Sequence, residues 1–379
     1  MSEIRKAVRK NPVLGGEGAV TLLERLSPAL ERIDSSSGAI GSAVNRAIED
    51  LVPIIARAPA SPALREKWLD RLWEAVQNDE IPYLETLIDF WGDLCADGSH
   101  ASKWADDLGS TVRLAWSPDP SLRGYFKGTS ACLSALLKAG RYAEIIELLE
   151  LAPHRFWYDR KWGVRALVAM GRMAEALQYA ESSCDLNDSP IAVAQACEEI
   201  MLSSGMADEA YARYAMQANV KTTYAATFRT IAAKYPHIPA PQILEDLVAG
   251  TPGMESKWFA AAKDAGLYQE AIELANRTPC DPKTLIRAAR DMVETRPQFA
   301  AEAGIAALRW LVAGYGYEIT GLDVWAAFDH CMKAADLAGC KEQAIGRVRR
   351  IVEQDCQPDH FVLKILGPKL GLDPRGGLS

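Results

Sequence analysis

Apolar residues recur at spacings of three and four along most of the chain, which is the period of one helical face. Val20, Leu22, Leu23, Leu26, Leu30 and Ile33 form the first such stripe. Asp34-Ser35-Ser36-Ser37-Gly38 interrupts it and offers hydroxyls to cap the next helix. That helix is predicted from about Gly38 to Arg57, with Pro53 marking a kink or a break inside it. Leu64 to Val76 is amphipathic, with Trp68, Leu72 and Trp73 facing inward. Tyr83 to Cys95 and Ser102 to Trp116 are further predicted helices. Alternating Val/Ile/Thr runs bounded by turn residues do not recur, so an all-α fold is expected. Pro118-Asp119-Pro120 cannot continue a helix and marks the clearest boundary of the first third.

Beyond that boundary a short pattern repeats. It reads as a small or apolar residue, Gly, three variable residues, Glu or Gln, then Ala or Ile. Its glycines are Gly140, Gly171, Gly205, Gly266 and Gly339. A glycine just past an apolar helix can take the left-handed conformation that ends it. The acidic residue then falls in the first turn of the next helix, where the helix dipole favours negative charge. The following small residue lets two antiparallel helices approach closely. Each copy therefore predicts a helical hairpin.

The positions before each glycine support this. Cys132, Gly163, Cys197, Trp258 and Cys331 lie eight residues upstream. Ala135, Ala166, Ile200, Ala261 and Ala334 lie five upstream, and Leu136, Leu167, Met201, Ala262 and Ala335 lie four upstream. These positions share one helical face. Three cysteines in one repeat position predict a buried slot filled by a small, apolar thiol.

At these residues the chain resembles divergent tetratricopeptide repeats, which carry Gly-x-x-x-Glu-Ala at the hairpin turn and repeat at about 34 residues. The resemblance covers roughly Thr129 to Val352. It implies a right-handed α-solenoid of stacked antiparallel helical hairpins, and a non-catalytic protein-interaction scaffold. The first helix of each hairpin would then line a concave groove that takes a partner segment. The expected organisation is an N-terminal helical block at 1–118 that continues or caps the array, a repeat domain at 119–365, and a flexible tail at 366–379.

Charge narrows the partners. The 42 Lys+Arg and 50 Asp+Glu leave a net charge of −8, so there is no general excess of basic charge to neutralise phosphates. A protein or peptide is expected, not nucleic acid. No apolar run approaches the roughly 20 residues that span a bilayer, and none follows the charged segment Met1 to Arg9. Eight scattered cysteines without a CxxC pair suggest buried thiols in a reducing compartment. A cytoplasmic protein is expected.

The densest aromatic-basic stretch is His154-Arg155-Phe156-Trp157-Tyr158-Asp159-Arg160-Lys161-Trp162. Aromatic residues and Arg dominate interface energetics. Arg155, Trp157, Tyr158, Arg160 and Lys161 are therefore candidates for anchoring a partner that carries acidic groups, through charge-assisted bonds and buried aromatic area. Tyr224 and Arg229 extend the candidate groove. The competing reading places Phe156, Trp157 and Trp162 in the packing between helices, with the charges solvated.

Gly314-Tyr315-Gly316-Tyr317 and Gly38-Ala39-Ile40-Gly41-Ser42 lack what a phosphate loop needs and are expected to be structural. His330, Cys331, Cys340, Cys356 and His360 show only one ligand-like pair, so no metal site is expected. No cofactor or catalytic residue is expected either. The alternatives are an enzyme with a pocket inside a helical shell, and a nucleic-acid-responsive regulatory module.

Overall fold

The computed structural model describes residues 1–30, 38–183, 189–355 and 360–372. Every regular element among them is helical. The chain divides into two compact units, Met1–Met206 and Ala207–Ser379. The block expected at 1–118 thus shares a unit with the residues up to Met206.

In the first unit, α1 (Ser2–Lys10), α2 (Pro12–Leu30), α3 (Ala39–Arg57) and α4 (Pro62–Gln77) lead to a 3₁₀ helix at Glu85–Phe90 and α5 (Trp91–Cys95). Then follow α6 (Gly98–Ala115), α7 (Thr129–Lys138), α8 (Tyr142–Leu151), α9 (Trp157–Ala169), α10 (Met173–Glu181) and α11 (Pro190–Ser203). The second unit opens with α12 (Ala207–Ala210), a π turn at Tyr211–Ala215 and α13 (Met216–Ala218). It continues with α14 (Tyr224–Lys234), α15 (Ala240–Ala249), a 3₁₀ turn at Glu255–Trp258, α16 (Phe259–Asp264) and α17 (Tyr268–Arg277). It ends with α18 (Pro282–Met292), α19 (Pro297–Val312), α20 (Gly321–Leu337), α21 (Lys341–Asp355) and α22 (Phe361–Leu370).

Local signals account for most of these bounds. Ser61 accepts from the Leu64 amide and Pro62 opens α4, a start that needs no donor from the proline. Asp97 accepts from the Ser99 and His100 amides, so α6 starts ahead of the predicted Ser102. The predicted break at Pro53 does not occur, because α3 runs through it. Pro53, Glu49 and Asp50 are all exposed, so the turn that loses its donor faces water. The Asp34–Ser37 capping segment and Ile33 lie outside the described residues.

Two predicted elements change. Tyr83 to Cys95 is not one α-helix but a 3₁₀ turn followed by a short α-helix. The buried Asp79 carboxylate pins the start of this segment, accepting from the Leu84 amide at 2.7 Å and from the Ser27 hydroxyl at 2.5 Å. Part of the tail expected from 366 is helical and packed, with Leu366 and Leu370 buried in α22. Residues 373–379 lie outside the described residues.

All five motif glycines end a helix in the left-handed region, with φ between 70° and 78°. After each, the next residue's amide bonds back over the helix end. Arg141 donates to the Leu136 carbonyl at 3.0 Å, Arg172 to Leu167 at 2.9 Å and Cys340 to Ala335 at 2.9 Å. This is the glycine cap that satisfies otherwise orphaned carbonyls. Gly314 repeats it after α19, with φ 80° and Tyr315 donating to Trp310 at 2.9 Å. The Gly314–Tyr317 run is therefore a helix end.

The predicted packing face is buried throughout. All fifteen residues four, five and eight before the glycines are buried. So are Ile145, Ala176, Ala210, Ala271 and Ala344 of the following helices. The Cys132 and Cys331 thiols donate to the Ala105 and Ala301 carbonyls, and burial pushes both up to about 12. Cys184 and Cys356 lie outside the described residues.

The core of the first unit centres on tryptophans. Trp68, Trp91 and Trp162 are among its largest fully buried side chains. Trp91 meets Trp104 and Trp73 edge-on, with ring centres 4.9 and 5.4 Å apart.

Candidate binding cavity

The connection between α6 and α7 folds back on the first unit instead of leaving it. Gly124 donates to the Ala115 carbonyl at 3.2 Å, and Arg123 Nε donates to the Ser117 carbonyl at 2.7 Å. Lys127 Nζ reaches the carbonyls of Val76 and Asp79, at 2.9 and 3.1 Å. These bonds hold Tyr125 and Phe126 opposite the segment that enters α9. There Phe156 is extended, and its carbonyl accepts from the Asp159 and Arg160 amides to start the helix.

Between these elements lies a cavity of about 540 Å³. Trp116, Phe126, Phe156 and Tyr158 supply aromatic walls, and Glu85 and Asp159 bring carboxylates to it. Arg123, Lys127 and His154 also border it. The rim is partly open: Phe156 is 39% exposed, Tyr158 43% and Tyr125 82%. His154 and Phe156 stack at 5.0 Å between ring centres.

The electrostatics of the floor are uneven. Burial raises the Asp159 carboxyl to about 6, against the opposing pull of Lys161 and Arg160. Asp89, on the 3₁₀ turn, pushes it further in the same direction. Burial, then the Asp89 charge, also hold the Tyr158 phenol above its ordinary range. Lys161 Nζ pairs with Asp89 Oδ2 at 2.6 Å and sits 4.4 Å from the centre of the Tyr158 ring. Asp89 Oδ1 is buried and accepts no hydrogen bond among the described residues.

The sequence-predicted anchors therefore have different surroundings. Tyr158 lines the cavity. Trp157 is half-buried at the start of α9, and Arg155 is exposed before it. Arg160 turns to α10, donating to the Tyr179 hydroxyl at 2.5 Å with its guanidinium 5.2 Å from that ring's centre. Lys161 is held by Asp89. Trp162 is core, and its indole donates to Ser130. Tyr224 and Arg229 belong to the second unit. Tyr224 lines a separate cavity of about 380 Å³ with Trp258, Leu247 and Asp246, and Arg229 Nε donates to the Ala225 carbonyl one turn back on its own helix.

Sequence reasoning singled out Asp159 only as part of the stretch and did not name Glu85, Phe126 or Trp116 as site residues. Their signal is tertiary, since residues up to 74 positions apart (Glu85 to Asp159) meet at one cavity. No described group of three or more His, Cys, Asp or Glu is placed to hold a metal ion, and no described helix is long and apolar enough to cross a membrane. No protein-family model, curated protein or solved structure matches the chain.

Proposed function

We propose that this chain is a non-catalytic interaction protein, built as a tetratricopeptide-like α-solenoid of helical hairpins, that takes a segment of a partner protein at the cavity of its first unit. The observation that carries the reading is the partly exposed aromatic rim of Tyr125, Phe156 and Tyr158 over a cavity of side-chain size. Clustered exposed aromatics mark interaction surfaces, whereas scattered ones need no explanation. Tyr158 and Asp159 come from α9, the first helix of the Gly171 pair, and Thr129 and Ser130 from α7, the first of the Gly140 pair. Those are the helices that the tetratricopeptide resemblance assigns to a binding groove. The raised Asp159 carboxyl is the feature that favours the enzymatic alternative, since an acid near 6 suits proton transfer. The open rim favours binding, because a cavity open on one side admits a segment of another chain.

The test is site-specific photo-crosslinking in the native cell, with benzoyl-phenylalanine at Phe156 and, as control, at Leu322, which is 80% exposed in the second unit. A discrete partner segment captured from Phe156 and not from Leu322 is expected. Equal capture from both positions, or none from Phe156, refutes the proposal.

A further inference from the structure

We infer that the cavity of the first unit selects a cationic side chain of the partner, a guanidinium or ammonium flanked by apolar residues, with Asp159 as its carboxylate and Phe156 and Tyr158 as its walls. This rests on the interaction reading and reverses the charge expected of the partner.

The cations that pointed to an acidic partner are already engaged. Lys161 is paired with Asp89, and Arg160, which does not line the cavity, is bound to the hydroxyl and ring of Tyr179, with its Nε buried and without an acceptor among the described residues. Arg123 and Lys127 border the cavity, but both donate to main-chain carbonyls. Arg155 does not line it. An acidic group entering would have to displace these bonds.

The acceptors are in the opposite condition. The Asp159 carboxylate lines the cavity, is half-buried and accepts no hydrogen bond from the described residues. Asp89 behind it has one oxygen in the same state. Glu85 adds a second carboxylate at the exposed edge. Removing a carboxylate from water without giving it donors is unfavourable, and a guanidinium supplies several donors in a planar fork. The aromatic walls favour the same occupant, because ring faces attract cations while burying the stem that carries them. A volume of about 540 Å³ leaves room for that side chain and one apolar neighbour.

The experiment titrates the whole protein with three labelled peptides, acetyl-Phe-Arg-Phe-amide and its citrulline and glutamate counterparts, read by fluorescence anisotropy. Citrulline keeps the shape of arginine and removes the charge. The arginine peptide is expected to bind at least tenfold more tightly than the citrulline peptide, and the glutamate peptide more weakly still. Asp159→Asn should erase the arginine preference, bringing the arginine peptide to the affinity of the citrulline peptide. Phe156→Ala should weaken both peptides, the arginine peptide by the larger factor, which reports on the walls even if Asp159→Asn folds poorly. Equal binding of arginine and citrulline peptides, a preference for glutamate, or no binding by any of them overturns the inference. The two readings fail separately. A Phe156 crosslink to a segment without a basic residue keeps the interaction proposal and removes this one, whereas loss of the crosslink with the arginine preference intact removes the partner protein and keeps the cavity's preference for a cation.

Discussion

Replacing Gly304 by alanine sets two effects of opposite sign against each other. Gly304 lies inside α19, where alanine would favour the helix by about 1 kcal/mol. It also lies where α19 meets α20. A Cβ there would sit 2.6 Å from Cys331 Cβ, 3.0 Å from Cys331 Cα and 3.3 Å from the Ala327 carbonyl oxygen. None of these atoms is the end of a flexible chain, so the helices must separate. Overpacking of this kind costs about 1–3 kcal/mol. A close contact with backbone belongs at the upper end, so Gly304→Ala should destabilise by roughly 1–2 kcal/mol after the helical gain is subtracted. Gly346 is the control. It lies inside α21 of the same unit with nothing within 4 Å of a Cβ, so Gly346→Ala should stabilise by about 0.5–1 kcal/mol. Urea unfolding at 25 °C, followed by far-ultraviolet circular dichroism and tryptophan fluorescence, measures both. If Gly304→Ala is as stable as the parent, the close crossing of α19 on α20 is wrong.

Three further changes probe other parts of the molecule. Arg65 is 3% exposed, and its guanidinium donates to the carbonyls of Ile55, Ala56, Ala58 and Leu94. Arg65→Lys keeps the charge but loses the planar fork, so a loss of about 1–3 kcal/mol in urea unfolding is expected, with Arg65→Met worse; a lysine variant of parental stability would contradict this. Gly171→Ala should cost about 1–2 kcal/mol because φ is +75°, although no atom lies within 4 Å of the added Cβ. Gly171→Asn should cost less, since asparagine tolerates that conformation, and identical losses would place the cause elsewhere. Asp159→Asn should be more stable than the parent at pH 7.5 and match it near pH 4. The folded carboxyl titrates near 6, above its usual value of 3.8, so the native state holds the extra proton and parental stability falls as pH rises between them. Asp89 raises this carboxyl, while Lys161 and Arg160 lower it. Thermal melts across that range, with Lys161→Met to remove one of those charges, check the sign.

The helical class and the glycine-marked helix ends were legible because their causes are local. A left-handed glycine, an N-cap aspartate or a proline in the first turn acts within four residues, and Gly140, Gly171, Gly205, Gly266 and Gly339 each end a helix as their neighbours predict. The three-position packing face was legible for the same reason, since residues three to four apart share a helix side whatever lies opposite. The segment Tyr83 to Cys95 was not, because its 3₁₀ start is anchored by Asp79, whose own partner Ser27 is 52 residues earlier.

The candidate site divides in the same way. Composition and periodicity by themselves determined an all-helical chain with helices ended by glycines, and drew attention to the stretch from His154 to Trp162. Only the tertiary structure decided which of its charges are free to act. Lys161 meets Asp89 from 72 positions away and Arg160 meets Tyr179 on the next helix, so neither of these cations points into the cavity that Asp159 faces. A side chain's charge can be read from its residue type, but whether that charge is satisfied depends on what the fold brings beside it.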